Sequence, residues 1–178
     1  MAKARARKGK PKTPFHTLHH LCIVVRDIDK AQRFYESIGI GPWQDYPPLD
    51  EFKTLKMPDV PGFKALKFRY CQLGPVQIQL GYPPPGRTPQ RKFLETRGEG
   101  VFHIGFVVDD VDAGERAATA MGLDPYMRGR RANGSGFTYF DVSDKAGVTL
   151  SIRKSPPAKK TKAAPRTKPA RAKRRARR

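Results

Sequence analysis

Residues 20–42, HLCIVVRDIDKAQRFYESIGIGP, and residues 103–125, HIGFVVDDVDAGERAATAMGLDP, lie on one another without a gap at an offset of 83. His20/His103, Val24/Val107, Val25/Val108, Asp27/Asp110, Asp29/Asp112, Arg33/Arg116, Gly39/Gly122 and Pro42/Pro125 are identical. Two unrelated strand–helix units readily share apolar positions. They do not readily share His, Asp, Gly and Pro in one register, so the chain reads as an internal duplication. Whatever one copy folds into, the other must fold into as well.

Each copy has the same local logic. After the histidine comes a short β-branched run, which predicts a buried strand. Asp29 and Asp112 stand where a helix N-cap belongs, with Ile28 and Val111 before them as a hydrophobic staple. Ala31, Phe34, Tyr35 and Ile38 recur at helical spacing, as do Gly114, Ala117, Ala118 and Met121, and Gly39 and Gly122 stop the two helices. Two apolar runs then follow in each half: ALKFRYCQL (65–73) and PVQIQLGY (75–82), then GFTYFDVS (136–143) and GVTLSIR (147–153), joined by the turns LGP and DKAG. With one more short strand after the helix, each half is a βαβββ module, and the class is α+β. The modules span 15–83 and 101–153, and the linker 84–100 holds a short helix around 88–97. The first half carries a Pro- and aromatic-rich insertion at 43–63, a length at which loops are usually functional or mobile.

The net charge of +20 is unevenly placed. Six of the 36 basic residues fall in 1–14 and thirteen in 153–178, neither stretch holding an acid; seventeen remain in the middle against all 16 acids. The tails are mostly Lys, Arg, Ala, Pro and Thr. They have too little apolar surface to offset the entropy of ordering, which predicts disorder over 1–14 and 154–178. A dense basic tail attracts polyanions by releasing their counterions, so nonspecific DNA or RNA is the expected partner of the C-terminal tail, with nucleoid association as the cellular correlate. A solubilising extension is the alternative. A membrane is not expected: the tail has nothing apolar to insert, no run is long enough to span a bilayer, and the N-terminus lacks the apolar segment of a secretion signal. Cys22 and Cys71 read as buried thiols of a cytoplasmic protein.

A paired βαβββ module with a histidine opening the first strand of each half resembles the vicinal oxygen chelate (VOC) superfamily, which includes glyoxalase I, bleomycin-resistance proteins, extradiol dioxygenases and methylmalonyl-CoA epimerase. The stretch FLETRGEGVFHIGFVVDDVD is most similar to the epimerase and its glyoxalase-like relatives. The resemblance covers residues 15–153. It implies an open barrel whose two cups share a divalent metal (cobalt, nickel, zinc, manganese or iron), held from the first and last strands of each half. Carried onto this sequence, those positions are His20, Gln79, His103 and, where relatives carry a glutamate, Ser151. Gln77 is the rival of Gln79 on the same strand face. The resemblance also implies a small oxygenated or thioester substrate, isomerase or lyase chemistry of the epimerase or glyoxalase I kind, and a homodimer. Ser151 leaves only neutral donors, which lowers affinity for a divalent ion, and it removes the carboxylate implicated in proton transfer. No catalytic residue is therefore assigned; Asp141, Glu95, Glu99 and Glu51 are the other acids considered. The alternative is a nonenzymatic ligand-binding member of the fold, tethered to nucleic acid by its tails.

Strand alternation puts His19 on the face opposite His20. Trp43, Tyr46, Phe52 and Phe63 either line a substrate mouth or pack the insertion down. Arg87, Arg91, Lys92 and Arg97 form a solvated helix face or meet an anionic substrate. RGRR (128–131) reads as a basic turn, open either to phosphate or simply to solvent.

Overall fold

The computed structural model describes residues 13–155. The predicted tails, apart from residues 13–14 and 154–155, lie outside the described residues. The first half runs β1 (Leu18–Val24), α1 (Ile28–Ser37), β2 (Trp43–Asp45), β3 (Thr54–Lys56), α2 (Val60–Lys64), β4 (Lys67–Leu73) and β5 (Val76–Tyr82). Helix α3 (Pro89–Arg97), capped by Thr88, links it to β6 (Gly100–Val107), α4 (Val111–Ala120), β7 (Pro125–Arg130), β8 (Gly136–Phe140), the single turn α5 (Ser143–Ala146) and β9 (Thr149–Lys154). Among these residues no helix is long and apolar enough to cross a membrane.

The duplication is written into the topology. All nine strands form one open sheet in the order β2-β4-β5-β1-β6-β9-β8-β7-β3. Reading outward from the antiparallel β1/β6 seam, each half repeats the same sequence of strands: first, fourth, third, second. The parallel pairs β1/β5 and β6/β9 keep the offset too, since Cys22 pairs with Gln79 and its counterpart Gly105 pairs with Ser151. Gln79 and Ser151 are therefore equivalent positions. Strand β3 breaks the symmetry. It belongs to the first half's insertion, yet it pairs antiparallel with β7 of the second half, Leu55 opposite Gly129. The insertion is thus ordered structure, not a free loop.

Both helices start earlier than the cap reading put them. The N-caps are Asp27, which accepts from the Lys30 amide at 2.9 Å, and Asp110, which accepts from the Asp112 and Ala113 amides. Ile28 and Val111 become the first helical residues and are buried. The repeated D-x-D divides two tasks. The first aspartate satisfies helix amides, while the second clamps the helix to the sheet by ion pairs, Asp29 to Arg69 (2.6 Å) and Asp112 to Arg130 (2.8 Å). Gly39 and Gly122 end the helices at φ +84° and +85°, a left-handed turn in which a Cβ would be strained.

Each helix packs on one face of its own half-sheet. Ile28 meets Leu80 with Ala31 and Tyr35 alongside, and Val111 and Ala118 meet Ile152 and Phe140. Burying Leu80 or Ile152 completely contributes about 2–3 kcal/mol each. Phe34 and Ile38, which share that helical spacing, point outward and are 61% and 58% exposed. Because strand side chains alternate, Gln79 and Ser151, next to Leu80 and Ile152, face the opposite side of the sheet. That side is the concave one.

Candidate functional site

The concavity is lined from both halves. His20, Tyr46, Leu49, Phe52, Phe63, Phe68 and Gln79 come from the first, and Arg131, Gly136, Phe137, Tyr139, Ser151 and Arg153 from the second. Of the sequence-derived ligand set, His20, Gln79 and Ser151 line the cup, and all three are buried. His103 lies immediately behind His20 and does not reach the cup surface. The imidazoles meet Nε2 to Nε2 at 2.7 Å. The structure thus gathers these four residues from four strands at one place. Gln77 is also drawn in, accepting from the Gln79 side-chain amide at 3.2 Å.

Gly105 makes the arrangement fit. It pairs with His20 across the central seam, and a Cβ built there would overlap the His20 ring. The first copy has Cys22 at the equivalent position, so the two copies diverge where one must give up its side chain to seat the other's histidine. His19 does not simply point away as alternation implies. Its Nδ1 comes within 2.9 Å of the His20 Nδ1, and with Tyr139 Oη 3.3 Å from His103 Nε2 the contacts form a chain His19–His20–His103–Tyr139.

Burial sets the protonation of this chain. His20 is held well below the usual imidazole range first by desolvation, then by His103, Arg153 and His19; His103 falls to about 3 through burial and Arg153, and His19 to about 4 for the same two reasons. Neutral imidazoles suit the His20–His103 hydrogen bond, in which one ring donates and the other accepts. The sign for stability follows. Between about pH 3 and 6.5 the unfolded chain takes up a proton at His103 that the folded chain does not, so stability falls as pH is lowered through this window. From pH 7 to pH 5 the loss is about 2 kcal/mol for His103. A thermal melt series is expected to show it, and His103→Phe to reduce the slope by its own share, with His19 and His20 still contributing; an unchanged slope in the variant would refute the assignment.

A divalent ion can be weighed against this donor set. Imidazole nitrogens, an amide oxygen and a hydroxyl are acceptable donor types. Their surroundings fit an ion poorly. The two Nε2 atoms are engaged with each other; at a bond length of about 2.1 Å their separation gives an N–metal–N angle of about 80°, well under the tetrahedral value but near the right angle of an octahedral site, so the misfit lies in the charge around the donors. Among the described residues no carboxylate lines the cup, while the cations Arg131 and Arg153 do. Three of the acids considered from sequence are occupied elsewhere, and the fourth stands beside the cup's own Arg131. Asp141 accepts from Ser143, Glu95 pairs with Arg91, Glu99 accepts from the Arg26 amide, and Glu51 stands 3.3 Å from Arg131 Nε.

Of the aromatic residues in the insertion, Tyr46, Phe52 and Phe63 line the cup, whereas Trp43 packs against Tyr35 and donates to the Ile40 carbonyl. RGRR is not a turn. Its first three residues belong to β7, Arg128 and Arg130 are tied to Glu115 on α4, and only Arg131 enters the cup. Arg91 is spent on Glu95, while Lys92 and Arg97 line a separate groove with Asp141 and Asp144. Arg153 went unremarked in the sequence. Its one signal is its place two residues after Ser151, which strand alternation puts on the same face.

A duplicated βαβββ module around a shared concave face defines the class of protein. The chain belongs to the glyoxalase/bleomycin resistance protein/dioxygenase superfamily, whose family model matches residues 19–140. No curated protein matches the sequence. Among solved structures it is similar to methylmalonyl-CoA epimerase from Mycobacterium tuberculosis (23% identity, TM-score 0.60, covering 82% of this chain and 92% of that one). It is also similar to a hypothetical protein from Bacillus halodurans (22%, TM-score 0.60, 82% and 98%). A third likeness is to a variant Streptomyces coelicolor methylmalonyl-CoA epimerase in complex with 2-nitronate-propionyl-CoA (22%, TM-score 0.62, 83% and 99%). At these identities the likeness establishes the fold.

Proposed function

We propose that this chain binds a small oxygenated molecule in the cup shared by its two halves, and that the residues of the cup, not a tightly held metal ion, supply recognition. The carrying observation is the lining itself: a concave, aromatic-walled space with His20, Gln79, Ser151, Tyr139 and two arginines converging on it, and no carboxylate. A mostly apolar concavity with a few convergent polar groups is the usual form of a small-molecule site. In it, Tyr46, Phe52, Phe63 and Phe137 exclude water. Burial holds Tyr139 protonated, so its hydroxyl is available as a donor. The neutral amide and hydroxyl of Gln79 and Ser151 can bind substrate oxygens.

The second reading is a metal-dependent isomerase or lyase on an oxygenated or thioester substrate, of the kind its epimerase neighbours represent. The convergence of His20, Gln79, His103 and Ser151 from equivalent strands favours it. Metal content separates the two. Protein purified without chelator is expected to carry well under one divalent ion per chain. Stoichiometric metal that disappears in His103→Ala would overturn the first reading in favour of the second.

The tails add a separate proposal, that residues 154–178 hold the protein on nucleic acid in the cytoplasm. Their thirteen-residue basic excess, counted from Arg153, is what supports it. Binding of duplex DNA by the full chain is expected to fall by roughly three orders of magnitude between 50 and 200 mM salt, and to vanish on deletion of 156–178. Equal binding by the shortened chain would remove the proposal.

A further inference from the structure

The cup is lined by two arginines that do not hold a helix of the module to the sheet. Arg130 and Arg69 clamp helices to the sheet through carboxylates. Among the described residues Arg153 makes no such pair, and Arg131 faces only the Glu51 carboxylate. Arg153, on β9, has no ion-pair partner among the described residues, and its buried Nε meets no acceptor. Its guanidinium stands 5.8 Å above the Tyr46 ring. Arg131 is enclosed, its side chain only 9% exposed. Its guanidinium lies 3.9 Å over the Phe52 ring, and its Nε is 3.3 Å from the Glu51 carboxylate but off the hydrogen-bonding line. Both arginines also line a second depression, with His19, Tyr70 and Gln77, so they stand at the mouth of the cup between outside and inside. Residues 1–12 and 156–178 contain no Asp or Glu, so they hold no side-chain counter-charge.

Keeping guanidinium groups enclosed and only partly compensated is costly unless something anionic completes them. A guanidinium offers a planar fork of donors that matches a carboxylate. Below the two forks the walls are Phe52, Phe63, Phe137 and Tyr139, ring against ring. We infer that the cup takes a small aromatic carboxylate, its carboxylate gripped by Arg131 and Arg153 at the mouth and its ring seated among these side chains, which must part to admit it because the space between them is about 40 Å³. This rests on the cup being the ligand site, and it names the ligand class that the cup selects. It also explains why a position that carries glutamate in metal-holding relatives is a serine here. A carboxylate inside the cup would neutralise Arg153 and repel the incoming anion.

The test uses the full chain in 0.15 M salt with EDTA, titrated by calorimetry with phenylacetate and with its neutral isostere phenylacetamide. Phenylacetate is expected to bind, and phenylacetamide to bind at least tenfold more weakly. Arg153→Gln is expected to weaken phenylacetate on the order of ten- to a hundredfold. Arg131→Gln should do the same, and Arg131→Lys should restore part of the loss by returning the charge. The tails are common to all variants, so a nonspecific contribution cancels. If Arg131→Gln does not fold, Arg153→Gln decides alone. No binding of phenylacetate, equal binding of the amide, or wild-type affinity in Arg153→Gln would each overturn the inference. So would binding that needs added metal and is lost in His103→Ala, because the anion would then be held by an ion. Stoichiometric metal with unaffected arginine variants would sink this inference and spare the second functional reading; metal-free protein with damaged arginine variants would do the opposite.

Discussion

Gly105→Ala is expected to lower the melting temperature by about 5 °C and to unseat His20. Gly105 lies across the central seam from His20, under its ring, and the added methyl would occupy the ring's place. Its backbone is not in the left-handed region, so the effect is steric and not conformational. Overpacking a buried site costs about 1–3 kcal/mol, which at 2–4 °C per kcal/mol for a chain of this size gives the figure above. The ring must leave its bond to His103, so the downfield imidazole N–H signal of that bond should disappear from the proton spectrum. A double-mutant cycle isolates the cause: in a His20→Ala background the same substitution should cost almost nothing, because the space is already vacant. Full destabilisation by Gly105→Ala without His20 would show that the glycine serves something other than the histidine.

Ser151→Glu is expected to turn the cup toward cations. Ser151 is buried and equivalent to Gln79, so a glutamate there would add the negative charge that the present donors lack. Affinity for Ni²⁺ or Zn²⁺, measured by competition with a chelating dye, should rise on the order of a hundredfold, the scale on which changes around a metal's ligands act. Arg153 works against the gain, since it stands on the same strand face and can neutralise the new carboxylate. Arg153→Gln combined with Ser151→Glu should therefore bind more tightly than Ser151→Glu alone. The same double variant should lose phenylacetate. If neither variant gains metal, the four positions do not form a common coordination site, and the likeness to metal-holding relatives ends at the fold.

The repeat was legible because backbone-determined residues mark it: glycines that must adopt positive φ, aspartates at helix starts, a histidine opening each first strand. From these the paired modules could be read directly, whereas Gln79 and Ser151 came only from the family resemblance, and their equivalence shows in the strand register. The cap was misplaced by two residues because both aspartates of D-x-D satisfy the local rule. Only the distant Arg69 and Arg130 decide which of them caps and which clamps. Phe34 and Ile38 match helical spacing as well as Ala31 and Tyr35 do, and spacing alone does not say which stripe meets the sheet. Arg131 and Arg153 could not be singled out among so many basic residues, because what distinguishes them is their place in the wall of the cup, which is a property of the folded arrangement. The strand β3 was hidden for the same reason: three residues of a Pro-rich insertion become a strand only when β7 offers its edge.

That short strand has a consequence for traffic. The halves are sewn together twice, along β1/β6 at the centre and along β3/β7 at the rim. A hinge motion would have to rip both seams, so the vessel keeps a fixed width. A ligand of the proposed cup would then have to pass by the swing of individual side chains at the doorway, Tyr46, Arg131 and Arg153, which line both the cup and the depression outside it.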